Sequence, residues 1–160
     1  MKDRITVIGG GLVGSEAAWQ IAEMGLQVEL YEMRPHVQTG AHTTAALAEL
    51  VCSNSLGSSL PDRASGVLMS ELRRMGSMLL EAAERASVPA GGALAVDRER
   101  FSTFVSRHVS SHPNIRVHRE EMRSVPDGIV VLASGPLTSK GLAASLKTLT
   151  GEENLGFYDA

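Results

Sequence analysis

The stretch Ile5-Thr6-Val7-Ile8-Gly9-Gly10-Gly11-Leu12-Val13-Gly14 decides the fold. Its first four residues form a short β-branched run stopped by three glycines, which reads as a buried strand feeding a tight turn. From Val13 the period becomes helical, and Val13, Ala17, Ile21 and Met24 are predicted to share the inner face, with Gly25 placed to end the helix. Gln27-Val28-Glu29-Leu30-Tyr31 then alternates as a strand and stops at Glu32. Strand, glycine turn, helix and strand in that order make a βαβ unit with a right-handed crossover.

Outward from this unit, residues 33–65 hold no sustained period and contain Pro35, Pro61 and the single cysteine, Cys52. An aperiodic stretch of that length inside a compact domain is usually functional or disordered, and it is read here as a long functional loop. Helical spacing returns at Val67, Leu68, Leu72, Met75, Leu79 and Ala83, predicting one helix to about Ala86 whose methionine-bearing stripe packs in the core. Residues 88–96 read as an irregular apolar link. Asp97 is placed to cap a helix with Phe101, Phe104, Val105, His108 and Val109 on its inner face, closed by Pro113. Residues 115–118 and 129–133 are further strands, separated by a turn at Pro126-Asp127-Gly128. A last helix is expected over residues 138–149, with Leu142, Leu146 and Leu149 facing in and Gly151 ending it. The alternation predicts an α/β, Rossmann-like domain over residues 1–160, a mostly parallel sheet with flanking helices.

Composition narrows the function classes. Of 160 residues 43% are apolar, enough to bury a core and to exclude a disordered chain. The apolar runs are too short to span a membrane, and the opening MKDRITVIGGG lacks the apolar region of a signal peptide. A single cysteine excludes a disulfide framework and a cysteine-rich zinc site, and it fits a reducing cytoplasm. The net charge of -3 leaves no electrostatic footprint for nucleic acid.

The glycine stretch fits G-x-G-x-x-G with its key positions at Gly9, Gly11 and Gly14, and Gly10, Leu12 and Val13 between them. Gly9 allows the turn out of the strand, Gly11 lets a pyrophosphate approach the backbone, and Gly14 lets helix and strand pack closely. The helix amino end adds free N–H groups and partial positive charge. Glu32 stands 18 residues beyond Gly14, where an acid accepts hydrogen bonds from a ribose diol. Glycine runs also serve in ordinary strand-to-helix turns, but here strand, helix, second strand and terminal acid coincide. Arg34 offers a contact to a ribose 2′-phosphate, which Glu32 would repel, so FAD or NAD is favoured over NADP.

Beyond this fingerprint, the segments VIGGGLVGSEAAWQIAEMG, LYEMRP, AELVCSNSL, EAAERASVPAGGALAVDRERF and VVLASGPLTS together resemble the folate- and FAD-dependent tRNA uracil-5-methyltransferases, the TrmFO or Gid family. The resemblance runs from about Ile5 to the last residue, and AELVCSNSL and VPAGGALAVDR are its most specific parts. It implies an enzyme that moves a one-carbon unit from 5,10-methylenetetrahydrofolate to C5 of the T-loop uridine of tRNA, position 54. Reduced FAD assists and NAD(P)H is the electron source. It also implies that Gly9 to Gly14, Glu32 and Arg34 serve FAD, and that Ser134-Gly135-Pro136 is a second FAD-contacting motif at a strand end. Read alone, Ser-Gly-Pro is only a turn. Gly156-Phe157-Tyr158-Asp159-Ala160 resembles the start of another strand, so the chain is expected to be the amino-terminal part of a longer protein, inactive alone.

Under this resemblance Cys52 becomes the catalytic candidate. Uracil C5 is a poor nucleophile, and a thiolate adding at C6 turns the ring into an enolate that attacks a methylene. Cys52 is the only residue here suited to that attack, and Ser53, Asn54 and Ser55 offer donors to a flavin edge or uracil carbonyl. Its role stays divided between attack on C6 and handling of the methylene carried by the flavin. The family's other functional cysteine has no counterpart in these 160 residues. An isolated cysteine is otherwise a small buried apolar residue.

Weaker signals stay open. His36 and His42 share the loop with Cys52 and read as a thiolate partner or as solvated histidines. His108 and His112 have zinc-ligand spacing, but a third ligand is lacking and Pro113 breaks the helix, so no metal is expected. Residues 98–123 carry six arginines against three acids, a face for tRNA phosphate or for solvent. Two other functions compete: a wobble-uridine tRNA-modifying flavoprotein, and a stand-alone dinucleotide-binding module without catalysis.

Overall fold

The computed structural model describes residues 4–151. The expected strand at Gly156 lies outside the described residues. Strand β1 (Arg4–Ile8) leads through the glycine turn into helix α1 (Leu12–Glu23), and β2 (Gln27–Tyr31) returns beside β1. With β6 (Ile115–His118) and β7 (Ile129–Leu132) they form a four-stranded, fully parallel sheet in the order β6-β2-β1-β7. The register sets Ile5 opposite Val28 on one side and Ile129 on the other, and Val28 opposite Ile115. This is the predicted α/β architecture, with helices on both faces.

One sheet face buries Val7, Val28 and Leu30 against α1 and against Phe101, Val105 and Val109 of α4 (Arg98–Ser111). On the other, Ile8 packs on Leu142 and Leu146 of α5 (Lys140–Thr150). The inner face of α1 is rotated from the predicted one. Gly14, Ser15, Ala18 and Ala22 are buried, whereas Val13 is 67% exposed. A helix pressed this closely on a strand selects small side chains, which an apolar-spacing rule overlooks. Leu149 likewise points outward, 66% exposed, because two leucines one turn apart suffice to seat α5.

The predicted long helix is two. Helix α2 (Ala64–Arg74) ends at Gly76, whose φ of +72° only glycine adopts easily, and α3 (Met78–Arg85) restarts with the Ser77 side chain capping Leu80 N at 3.2 Å. Glu16 of α1 also accepts from the amides of Met78 and Leu79 at 3.2 and 2.8 Å, fixing α3 on α1. The link expected to be irregular contains β4 (Ser87–Val88) and β5 (Ala93–Val96). With β3 (Ser55–Ser58), from within the aperiodic stretch, they make an antiparallel sheet in the order β3-β5-β4. Regular structure therefore resumes ten residues before the expected end of the loop at residue 65, and only residues 33–54 are irregular throughout.

Candidate functional site

Backbone hydrogen bonds gather the carboxyl ends of all four parallel strands. Gly9 N donates to Tyr31 O at 2.8 Å, Glu32 N to His118 O at 2.9 Å, and Ala133 N to Ile8 O at 2.8 Å. A cleft of about 280 Å³ opens there. It is lined by Gly9, Gly10, Gly11, Leu12, Val13, Glu32, Arg34, Ser134, Gly135 and Pro136, so two segments 120 residues apart in sequence meet as expected. Gly14 lies behind the lining: a Cβ there would stand 1.7 Å from Gly9 O. At Gly11 a Cβ would meet nothing within 4 Å and would project into the open approach to the turn. The helices α3, α4 and α5 are capped by Ser77, Asp97 and Ser139, α2 has no side-chain cap, and α1, also uncapped, begins at Gly11 and lines the cleft with Leu12 and Val13. Its first-turn amides therefore face the cleft with their partial positive charge available to an anion.

Glu32 is buried, and its hydrogen bonds are saturated. Oε2 accepts from Gly10 N at 3.0 Å and from Arg34 Nη2 at 3.2 Å, while Oε1 accepts from Arg34 N and Nε, each at 3.0 Å. Arg34 is 2% exposed, and all five of its guanidinium donors are used. Besides Glu32 it donates to Glu49 Oε2 at 2.8 Å and to the carbonyls of Thr44 and Ala46 at 3.2 and 3.1 Å. Glu49 in turn accepts from the amides and hydroxyls of Thr43 and Thr44. Arg34 thus stands behind Glu32 with no N–H left for a phosphate.

These contacts explain why residues 33–54 are ordered without ladder hydrogen bonds. Arg119 donates to Ala45 O at 2.7 Å, Ser106 Oγ accepts from Leu47 N at 2.8 Å, and Ala48 N donates to Gly10 O at 2.9 Å. Farther on, Arg98 donates to Cys52 O at 3.3 Å, and the Asn54 amide donates to Val96 O at 3.1 Å. Asn54 is therefore tied to β5 through one of its two amide hydrogens. Cys52 is exposed, one residue beyond the cleft-lining Val51.

Burial opposes ionisation of Glu32, but the hydrogen bonds and charge of Arg34, with the Gly10 amide, outweigh it and hold the carboxyl below its ordinary 4.5. For Glu49, burial also opposes ionisation, and the Thr43 and Thr44 donors overcome it to bring the pKa to about 2. Both depressed carboxylates contribute stability that is full above their unfolded values and is lost as pH falls through the folded ones. Unfolding stability is therefore expected to fall between about pH 4.5 and about pH 2, and Glu49→Gln to flatten that fall. Urea titrations across this range check it; an unchanged slope in the variant contradicts the assignment.

The cleft also contains residues that the sequence did not single out: Thr39, Glu49, Glu120, Glu121 and Met122. Glu49 lies within AELVCSNSL, so the motif marked its neighbourhood. Nothing local marked Glu120 to Met122, which are placed by the register of β6 on β2. Of the two loop histidines, His42 lines the cleft, held by Thr39 Oγ1 at 2.7 Å, and burial followed by the charge of Arg34 lowers its pKa. His36 is exposed. His108 bonds Phe104 O and His112 bonds Glu23, and both contact Trp19. Among the described residues no group of three or more His, Cys, Asp or Glu side chains could hold a metal, and no helix is long and apolar enough to cross a membrane.

The chain is similar to known proteins in fold and in sequence. NikD, an unusual amino acid oxidase essential for nikkomycin biosynthesis, shares the fold in its open form at a TM-score of 0.52, with 18% identity over 90% of this chain and 54% of that one. A curated relative from Exiguobacterium sp., a methylenetetrahydrofolate–tRNA-(uracil-5-)-methyltransferase TrmFO, is 58% identical over 100% of this chain and 37% of its own. A protein of the same name from Symbiobacterium thermophilum is 59% identical over 99% of this chain and 36% of its own. The chain thus spans little more than a third of these relatives. The sequence profile of glucose inhibited division protein A matches residues 4–160, and this chain belongs to that family.

Proposed function

We propose that this chain holds the adenosine diphosphate half of FAD in a folate-dependent tRNA uracil-5-methyltransferase. The carrying observation is the uncapped amino end of α1 facing the cleft above Gly11, with the buried Glu32 at the end of β2. The residues fit the group. The α1 amides would hold the pyrophosphate and Glu32 the ribose diol, with the Ser134-Gly135-Pro136 turn also lining the cleft. Glu32 repels a 2′-phosphate and Arg34 has no donor to offer one, which favours FAD over NADP in this cleft. When bound, FAD supplies the redox chemistry of the transfer.

The relatives named TrmFO support the folate donor and the tRNA substrate. The resemblance alone carries the T-loop position and NAD(P)H as reductant, and the single cysteine carries the reading of a reducing cytoplasm. The exposed thiol of Cys52 is the nucleophile for uracil C6 or the handler of the one-carbon unit. Arg98 and Asn54 anchor the chain around it, leaving the side chain free.

The test is ribothymidine formation by the full-length protein on a tRNA transcript, with methylenetetrahydrofolate, FAD and NADH. Product at position 54 is expected, and product only at the wobble uridine refutes the reading. Cys52→Ala is expected to bind FAD as tightly as the parent while losing at least about 100-fold in rate, the scale on which activated nucleophiles act. Normal turnover by Cys52→Ala removes it from catalysis.

A further inference from the structure

We infer that Arg34 and Glu49 are positioning residues that couple occupancy of the ribose end of the cleft to the placement of the segment bearing Cys52. The inference rests on the cleft and Cys52 assignments above. Arg34 bridges two carboxylates, Glu32 facing the cleft and Glu49 three residues before Cys52. A carboxylate offers about four acceptor directions, and the contacts at Glu32 already number four. A diol donating to Glu32 must therefore share or displace an Arg34 N–H. Any such shift of the guanidinium also moves its Nη1 contact with Glu49 Oε2, 2.8 Å away.

The receiving segment is built to respond as a unit. Glu49 fastens Thr43 and Thr44, and Ala48 donates to Gly10 O while held at a φ of 51°, a left-handed conformation that a non-glycine residue keeps only where its surroundings over-determine it. The Leu47 side chain packs directly beside Gly10. The turn that meets the pyrophosphate and the segment leading to Cys52 are thus joined on both sides, by backbone at Ala48 and by charge at Glu49.

The test uses the full-length protein stripped of flavin, with ADP-ribose as probe, because ADP-ribose has the diol and pyrophosphate but no isoalloxazine to shield a thiol. Iodoacetamide alkylation of Cys52 is followed by peptide mass. Saturating ADP-ribose is expected to change the alkylation rate of the parent at least about fivefold, the lower end of ordinary coupling between sites. In Glu49→Gln that ratio falls to about one, while ADP-ribose still displaces FAD. Thr44→Val, which removes one hydroxyl donor and keeps the charge, gives an intermediate ratio. A residue that merely stabilises the fold would lower the melting temperature and leave the ratio unchanged. An unchanged rate in the parent, or the same ratio in the parent and Glu49→Gln, overturns the coupling. If neither ADP-ribose nor FAD binds the parent, the cleft assignment itself fails, and the coupling with it.

Discussion

Gly11→Leu is expected to fold normally and to lose FAD binding by at least about 100-fold. The loss corresponds to two charge-assisted hydrogen bonds of about 1.5 kcal/mol each. The two halves of this prediction come from one geometric fact. Gly11 has a φ of -73°, which any residue adopts, and a Cβ there meets nothing within 4 Å. The protein tolerates the side chain, and a pyrophosphate approaching the α1 amides does not. Gly14→Ala provides the contrast, because its Cβ would lie 1.7 Å from Gly9 O and force helix and strand apart. Thermal unfolding and fluorescence titration of FAD separate the cases. Flavin retained by Gly11→Leu at parental affinity contradicts the assignment of the turn.

Arg34→Met is expected to destabilise the protein by about 3–5 kcal/mol at neutral pH, the usual cost of stranding one side of a buried ion pair. Two carboxylates lose their partner at once, since Glu32 and Glu49 both pair with Arg34 at 3.0 and 2.8 Å. Methionine keeps length and apolar character but supplies none of the five N–H donors. In the variant, burial without the guanidinium raises the folded pKa of Glu32 above its unfolded one, while Thr43 and Thr44 still hold Glu49 low. The Glu32 part of the penalty is then largest at neutral pH and shrinks as falling pH protonates that group, the reverse of the parent's trend. Urea denaturation at pH 7 and near pH 4.5 measures both signs. A loss below about 1 kcal/mol at pH 7 is the surface ion-pair value and contradicts the buried bridge.

The parallel sheet was legible because its determinants are local. β1 is a β-branched run stopped by the glycine turn with α1 following at once, and β2 alternates and stops at Glu32. The glycine turn was legible for the same reason, Gly9 and Gly14 each meeting a steric demand set by a neighbour, whereas Gly11 stands in open space. The second sheet was not. Ser55-Leu56-Gly57-Ser58 has no strand composition, and it pairs with β5 across some forty residues, so its ladder exists only in three dimensions. The break at Gly76 was hidden because the apolar spacing continues through it, while Ser77 and Glu16 recap the following helix. In the site, Glu32 could be read from its distance beyond the glycines. Its partner could not be read correctly: Arg34 has the position of a phosphate ligand, and only the packing of Thr44, Ala46 and Glu49 around it shows that every donor is engaged. Glu120 to Met122 owe their place to strand register and were silent in sequence.

The cleft at the strand carboxyl ends is proposed to receive the adenosine diphosphate half of FAD as an unphosphorylated ribose diol. Competition titration of FAD fluorescence tests it most directly, comparing ADP-ribose with 2′-phospho-ADP-ribose as displacing ligands. ADP-ribose is expected to displace FAD, and the 2′-phosphate to weaken displacement at least about tenfold, or about 1.4 kcal/mol, through repulsion by Glu32 and the lack of a free guanidinium donor. Equal displacement by the two ligands, or none by ADP-ribose, contradicts it.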